Sequence, residues 1–340
     1  MDRILKKDCD YILKNINIKK FQNKKILILG SNGFFATYIQ AVLKSTKCKI
    51  TSVSLNKPSG LSKIIYKKSN INFIQMNLNN KKKFDILIKK KFDFIFHCAT
   101  YGQPKKWMGN EWETINLNVN ILKSILDHSV KYKSKILYLS SASVYKIPER
   151  GKVVNEESSL GTGNFFNETI YSNSKIIGEK LCELYKHKYK VPVYVVRPAH
   201  TYGPGQDFKD PRVIPQLIKR ALLEKKIYMF DTGKTVRTWC YISDVIIMIF
   251  NIILSGKSFT YNVSGNDYIS IIKIAKIISK LRNNIPIKIM KKNLKFTNSK
   301  PTILKVSSIK YKKEFKSHKN ISFINGINRL IDWNLNWQKI

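Results

Sequence analysis

KKILILGSNGFFATYIQ, residues 24–40, carries the reading from which the rest of the chain follows. Lys24 and Lys25 lead into Ile26, Leu27, Ile28 and Leu29, an unbroken apolar run of the kind buried on both faces of a parallel sheet. The run stops at Gly30 and the chain restarts as a helix. Gly30 permits a tight turn, Gly33 lets a phosphate approach the backbone, and Ala36 is small enough for the helix to pack on the strand. The free N–H groups and dipole of that helix N-terminus then face an anion. The spacing is G-x-x-G-x-x-A rather than G-x-G-x-x-G, and it also occurs by chance in glycine-bearing loops. A strand, turn and helix without a ligand is therefore the alternative at this point.

The 340 residues leave room for one large or two joined domains, and 43% hydrophobic with 11% aromatic content suits a folded protein. No apolar run is long enough to span a bilayer; the longest, 245–254, contains Asn251. The N-terminus has charges spread through it and no apolar core of a signal peptide, so a cytoplasmic protein is expected. Cys9, Cys48, Cys98, Cys182 and Cys240 form no C-x-x-C pair and indicate neither a zinc site nor a disulfide framework. The five histidines are equally dispersed, so no metal is expected. Net charge is +40, from 62 Lys and Arg against 22 Asp and Glu. The lysines are spread through nearly every segment and form no basic block interleaved with aromatics, which argues for general lysine excess over nucleic-acid binding. The positive field still favours an anionic substrate.

Outward from the glycine stretch, residues 1–22 read as an amphipathic helix with Ile4, Leu5, Tyr11, Ile12, Leu13 and Ile16 on its apolar face, expected at the edge of the sheet. Residues 34–43 are the helix after the turn, and 49–55 (KITSVSL) the second strand. Nicotinamide-binding folds place an acidic residue there to accept from the adenosine ribose. Asn56 followed by Lys57 retains a hydrogen bond and tolerates a 2′-phosphate, so NAD and NADP are not separated. Residues 72–76 form a third strand with Asn77 at its end, where an amide can meet an adenine. Residues 92–98 form a fourth, and the small Ala99 and Thr100 after it let a flat cofactor lie against the backbone. Residues 116–126 are helical with Asn118 able to turn inward, and 136–139 form a fifth strand ending in Ser140 and Ser141. Strands alternating with helices at crossover spacing predict an α/β fold with a doubly wound parallel sheet.

Tyr171 and Lys175, in YSNSK, are one helical turn apart and share a face. An ammonium beside a phenol favours the phenolate and lowers its pKa from about 10 toward working pH. Such a tyrosine can take or return the proton of a sugar hydroxyl while hydride goes to nicotinamide, with Ser141 holding the same oxygen. Y-x-x-x-K alone is a frequent solvated face in a lysine-rich chain. Its place after a glycine turn and a strand ending in SSASVY gives it meaning.

GSNGFFA, HCAT, SSASVY, YSNSK and VRPAHTYGPG stand in the order and spacing of the extended short-chain dehydrogenase/reductases. From about residue 24 to its end the chain resembles their nucleotide-sugar epimerase, dehydratase and decarboxylase group. The resemblance implies an N-terminal helix (1–22) packed on the sheet and a Rossmann-type NAD(P)-binding domain over 23–200. It implies a smaller C-terminal α/β substrate-binding lobe over 201–340, with interleaved boundaries. By position it assigns Ser141, Tyr171 and Lys175 to catalysis. It assigns Gly30, Asn32, Gly33, Phe34, Asn56, Asn77 and Ala99, with Tyr171 and Lys175, to NAD, leaving NADP open. Asn56 and Asn77 stand where relatives usually carry aspartate. His200 replaces an asparagine whose amide meets the substrate diphosphate; it either donates to phosphate or is a satisfied loop histidine. Arg212 and Arg237 match diphosphate-holding arginines, the alternative being a salt bridge to Asp210 or Asp244. Near Lys300 and Pro301, where relatives tend to place a further arginine, only lysine is available.

In the second half, 191–196 form a sixth strand, 259–263 and 271–281 a strand and helix of the smaller lobe, and 321–333 a closing helix. Asp244 and Tyr241 are expected to tie this lobe to the sheet. Dehydratases of the group place an Asp-Glu pair after the Ser/Thr, and decarboxylases a glutamate two residues after it. Ala142 and Ser143 stand here, and neither transfers a proton as a carboxyl does. The resemblance therefore points first to a nucleotide-sugar epimerase or keto-sugar reductase of surface-polysaccharide precursor synthesis, working as a homodimer. The loop DPRVIPQLI keeps a UDP-glucuronate decarboxylase-like enzyme open, and a 4,6-dehydratase stands beside it. A non-catalytic cofactor-binding or nucleic-acid-binding protein is the remote alternative; no nucleic-acid or membrane partner is expected.

Overall fold

The structure is a computed structural model that describes residues 3–66, 70–161, 166–290, 301–316 and 318–338. Seven strands build the main sheet: β1 (Lys25–Leu29), β2 (Lys49–Ser54), β3 (Ile71–Gln75), β4 (Phe94–His97), β5 (Lys135–Leu139), β6 (Val193–Pro198) and β7 (Thr260–Val263). They lie in the order β3-β2-β1-β4-β5-β6-β7, every neighbouring pair parallel. Five helices matter below: α1 (Arg3–Lys14), α2 (Phe34–Leu43), α3 (Phe166–Tyr189), α4 (Ile242–Ser255) and α5 (Phe323–Gln338). Alternate residues of β1 serve opposite faces, Ile26 and Ile28 packing with Ala36 and Ile39, and Leu27 and Leu29 with Ile95 and Leu122. That two-sided burial is why the strand reads as an unbroken apolar run. Strand order reverses between β1 and β4, and the carboxyl ends flanking that point form the crevice where open α/β sheets bind ligands.

The smaller sheet is built from Asp267–Ser270, Val236–Tyr241, Ile303–Val306 and Val153–Val154 in that order, with His200–Tyr202 also pairing Val236–Tyr241. The lobes interleave further than the 23–200 and 201–340 division. Val153–Val154 leaves the first part for the smaller sheet, and residues 259–263, expected in the smaller lobe, contribute β7 to the main one. The cause is α4, buried along almost its whole length, which acts as a crossover and returns the chain parallel to β6 at the sheet edge.

A second correction concerns α1, which packs on α2 and α4 rather than on the sheet edge. Leu5, Cys9 and Ile12 enter the core. Asp8 between them is fully buried and accepts from Tyr241 Oη (2.7 Å), Tyr38 Oη (3.2 Å) and Arg329 Nη1 (2.7 Å). These partners come from the smaller sheet, α2 and α5, so a helix ahead of β1 ties both lobes together. Tyr241 thus ties the lobes as expected, and Asp244 does so by accepting from the Ile321 backbone N–H at 3.0 Å with His318 at 3.3 Å. Among the described residues no helix is long and apolar enough to cross a membrane.

Candidate active site

Gly30 has φ +76°, and a Cβ there would lie 2.6 Å from Ala99 Cα, so both conformation and space demand glycine. The buried Ala99 therefore presses on the turn from the end of β4. Gly30 and Ser31 both donate backbone N–H groups to Val53 O, at 2.9 and 3.0 Å. The buried Gln40 side chain donates to Ser31 O at 2.6 Å and accepts from Ser52 Oγ at 2.6 Å. Gly33 begins α2 with no side-chain cap, leaving the first-turn N–H groups to an outside acceptor. Asn32 donates Nδ2 to Asn56 O at 2.7 Å, while its buried Oδ1 has no partner among the described residues. A glycine cradle, an uncapped helix and an orphaned acceptor fit a diphosphate-bearing, hydroxyl-bearing cofactor such as NAD. Phe34, the first residue of α2, carries the Arg212 guanidinium 5.4 Å over its ring and so links this loop to the substrate side.

Toward the adenosine side, Asn56 is exposed and its carbonyl is taken by Asn32. Asn77 is exposed too, and its Oδ1 accepts from Asn79 N at 3.0 Å. Asn77 thus shapes its own turn as well as standing near the crevice.

The end of β5 and one turn of α3 bring Ser141, Tyr171 and Lys175 together. Ser141 Oγ accepts from Ser143 N at 3.1 Å and also bonds the Tyr171 hydroxyl. Lys175 is 1% exposed; its Nζ donates to Leu139 O at 2.7 Å and lies 4.6 Å from the Tyr138 ring centroid and 6.0 Å from that of Tyr171. The expected lowering of the tyrosine pKa is reversed. Burial pushes the Tyr171 hydroxyl up to about 12, the Ser141 hydrogen bond pulling it only partly back. Burial likewise pushes Lys175 down to about 7, against the opposing influence of Cys98, Glu179 and Cys182. Desolvation outweighs the mutual effect that the i, i+4 spacing suggests.

Several site residues escaped the sequence reading. Trp107 stacks flat on Tyr171, centroids 4.9 Å apart and planes 11° from parallel, from the one-turn helix Pro104–Trp107, which is too short to leave a period in the sequence. His97 is fully buried beneath Lys175, stacked on Tyr138 at 5.7 Å, with Nε2 on Leu117 O at 2.9 Å. Burial first, and the Lys175 charge second, hold its pKa at about 3, so it is neutral. Asn118, in a π turn over Leu117–Ile121, does turn inward and donates to Ser174 Oγ at 2.9 Å. π turns within α-helices recur at functional sites. Glu179, one further turn along α3 from Lys175, pairs with Arg197 through Nη2–Oε2 at 2.6 Å and accepts from Ser140 Oγ at 2.5 Å. Arg197 also donates to Tyr145 Oη at 2.9 Å. The spacing of Glu179 after YSNSK and the VRP of β6 were the available signals.

On the substrate side, His200, Arg212 and Arg237 converge. His200 is exposed as a residue, while its ring packs edge-on against Trp239 at 5.1 Å. The protein around its other sides, then the Arg237 and Arg212 cations, hold its pKa at about 4, so it is neutral. Arg212 takes the salt-bridge alternative: Nε lies 2.9 Å from Asp210 Oδ1, and Nη2 bonds Oδ2. Arg237 does not; it donates to Thr302 O (2.8 Å), Val236 O (2.9 Å) and Thr302 Oγ1 (2.6 Å) and has no carboxylate partner among the described residues. Lys300 lies outside the described residues.

The NAD dependent epimerase/dehydratase family model matches residues 26–264. The bifunctional polymyxin resistance protein ArnA of Wigglesworthia glossinidia brevipalpis is 29% identical over 280 residues, 77% of this chain, which spans only 42% of that protein. The UDP-N-acetyl-alpha-D-glucosaminuronate decarboxylase of Bacillus cytotoxicus is 26% identical over 323 residues, 91% of this chain and 97% of that one. An epimerase from Methanothermobacter thermautotrophicus shares the fold, with TM-score 0.82 at 19% identity over 96% of each chain. With the glycine loop, the crevice at the strand ends and a matching model across most of its length, the chain belongs to the NAD-dependent epimerase/dehydratase family.

Proposed function

We propose that the protein is a nucleotide-sugar epimerase or keto-sugar reductase in which Tyr171 exchanges a proton with a sugar oxygen. The observation that carries this reading is the meeting of Ser141, Tyr171 and Lys175 at the carboxyl end of β5, with Ala142 and Ser143 following the serine. NAD supplies the hydride acceptor when bound. Ser141 holds the reacting oxygen, and the neutral Tyr171 phenol is the form that protonates a ketone oxygen as it is reduced. Removal of a proton from a hydroxyl needs the phenolate, which a protonated Lys175, its Nζ 6.0 Å from the ring centroid, favours against the burial that opposes it. Arg237, a half-buried guanidinium without a carboxylate, is fitted to a substrate diphosphate, with the neutral His200 as a hydrogen-bond partner.

Ala142 is buried and Ser143 exposed, and neither replaces the carboxyls that expulsion of water needs. Decarboxylation is the second reading, favoured by the match to a uronate decarboxylase along 91% of the chain. The test is incubation of the protein with UDP-, dTDP-, GDP- and CDP-sugars and their 4-keto forms, with products read by NMR. An epimerised sugar without net change in NAD(P)H, or a reduced one with consumption one for one, is expected. A 4-keto-6-deoxy product overturns the choice against dehydration, and carbon dioxide from a UDP-uronate installs the second reading.

A homodimer is the assembly we infer. Ile177 and Leu184 are half exposed on one face of α3, and Trp112, in the helix packed beside it, is 80% exposed. Such a stripe is costly in water unless covered. Light scattering is expected to give twice the chain mass, and Ile177→Asp with Leu184→Asp to halve it; a monomeric wild-type chain removes the inference.

A further inference from the structure

Residues 11–84 contain no aspartate or glutamate, although lysines recur throughout them. The half of the main sheet that faces the adenosine end of a dinucleotide is therefore free of carboxylates, not merely altered at Asn56. At the carboxyl ends of β2 and β3 the structure has a groove lined by Lys57, Pro58, Lys63, Tyr66, Phe73 and Gln75. It is continuous with the glycine loop, because Tyr66 Oη donates to Ser31 Oγ at 2.9 Å. The Tyr66 and Phe73 rings meet edge to face at 5.1 Å and give it an apolar wall. Lys57 and Lys63 are exposed, and neither pairs with a carboxylate among the described residues. A carboxylate at the end of β2 accepts from the ribose hydroxyls and repels a phosphate in their place. Here the repulsion is missing, and two ammonium groups border a groove with an aromatic wall.

We propose that this groove receives the 2′-phosphate of NADP(H), so that the chain binds the phosphorylated dinucleotide at least as tightly as NAD(H). The proposal rests on the reading of the Gly30–Gly33 turn as the dinucleotide cradle. A dianionic phosphate on two ammonium groups makes charge-assisted contacts that an unphosphorylated ribose cannot.

The test is calorimetry on protein freed of carried-through nucleotide, with NAD, NADP, ADP, 2′,5′-ADP and inorganic phosphate as separate titrants. NADP is expected to bind no more weakly than NAD, and 2′,5′-ADP about tenfold more tightly than ADP. Inorganic phosphate at equal concentration is expected to show no measurable binding. Lys57→Glu with Lys63→Glu is expected to weaken NADP by about tenfold or more while NAD changes little. Lys82→Glu with Lys83→Glu, the same charge change on a different helix, is expected to leave the NADP to NAD ratio unchanged. NADP binding tenfold weaker than NAD overturns the proposal and leaves the cradle intact. Equal loss in the two double variants overturns it in favour of the general positive field. Failure of both dinucleotides to bind removes the cradle and the proposal together.

Discussion

Tyr171 shows how far one residue's chemistry departs from its spacing. Four positions from a lysine, it reads as an activated phenol, yet Trp107 covers its ring and burial raises its pKa to about 12. Lys175, drawn down to about 7, is held at Leu139 O. Tyr171→Phe keeps the packing and removes only the hydroxyl. It is expected to lower kcat by about 10²-fold or more, with NAD affinity nearly unchanged. Retention of a tenth of the wild-type kcat takes the proton-transfer role from Tyr171. At Gly33, φ is −69°, which any residue adopts, but an added Cβ would stand 3.0 Å from Gly30 O where α2 begins. Gly33→Val is therefore expected to fold and to lose NAD binding by calorimetry, and undiminished affinity would mean that the loop holds some other group.

At the scale of elements, α1 and α3 illustrate two uses of buried charge. Asp8 on α1 has its carboxyl pushed up to about 6 from 3.8 by burial, with the Tyr241, Arg329 and Tyr38 contacts opposing. Between pH 4 and 6 the folded chain thus holds a proton there that the unfolded chain releases, and this residue's contribution to stability falls as pH rises. Asp8→Asn removes that dependence. The stability of wild type relative to the variant is expected to fall by up to about 3 kcal/mol from below pH 4 to pH 7, measured by urea unfolding. A pH-independent difference would place the Asp8 pKa near that of a free carboxyl. On α3, Glu179 pairs with Arg197 and accepts from Ser140, and so supports the strand end that presents Ser141.

Across the whole molecule the two lobes are stitched by strand exchange, Val153–Val154 crossing one way and Thr260–Val263 the other. Arg237 lies on the central strand of the smaller sheet, which also pairs with His200–Tyr202 just beyond β6, so its charge comes close to His200 only because both sheets form together. Arg237→Lys keeps the charge but loses the planar fork. It is expected to raise KM for the nucleotide sugar by about tenfold with kcat little changed and NAD affinity intact. An unchanged KM would assign Arg237 to holding Thr302 alone.

What was legible in the residues themselves was whatever depends on local rules. The apolar run of β1, the Gly30 turn with its positive φ, the alternation that makes a parallel sheet, and the helical spacing of Tyr171 and Lys175 each follow from neighbours along the chain. Strand ends came within about two residues because side-chain period and turn residues are local properties. The partner of residues 260–263, the seat of α1, the Arg212 pair with Asp210 and the stacking of Trp107 were decided only in three dimensions. So were the pKa values of Tyr171 and Lys175, since desolvation depends on what distant segments cover a group. No spacing records how much water a folded chain removes.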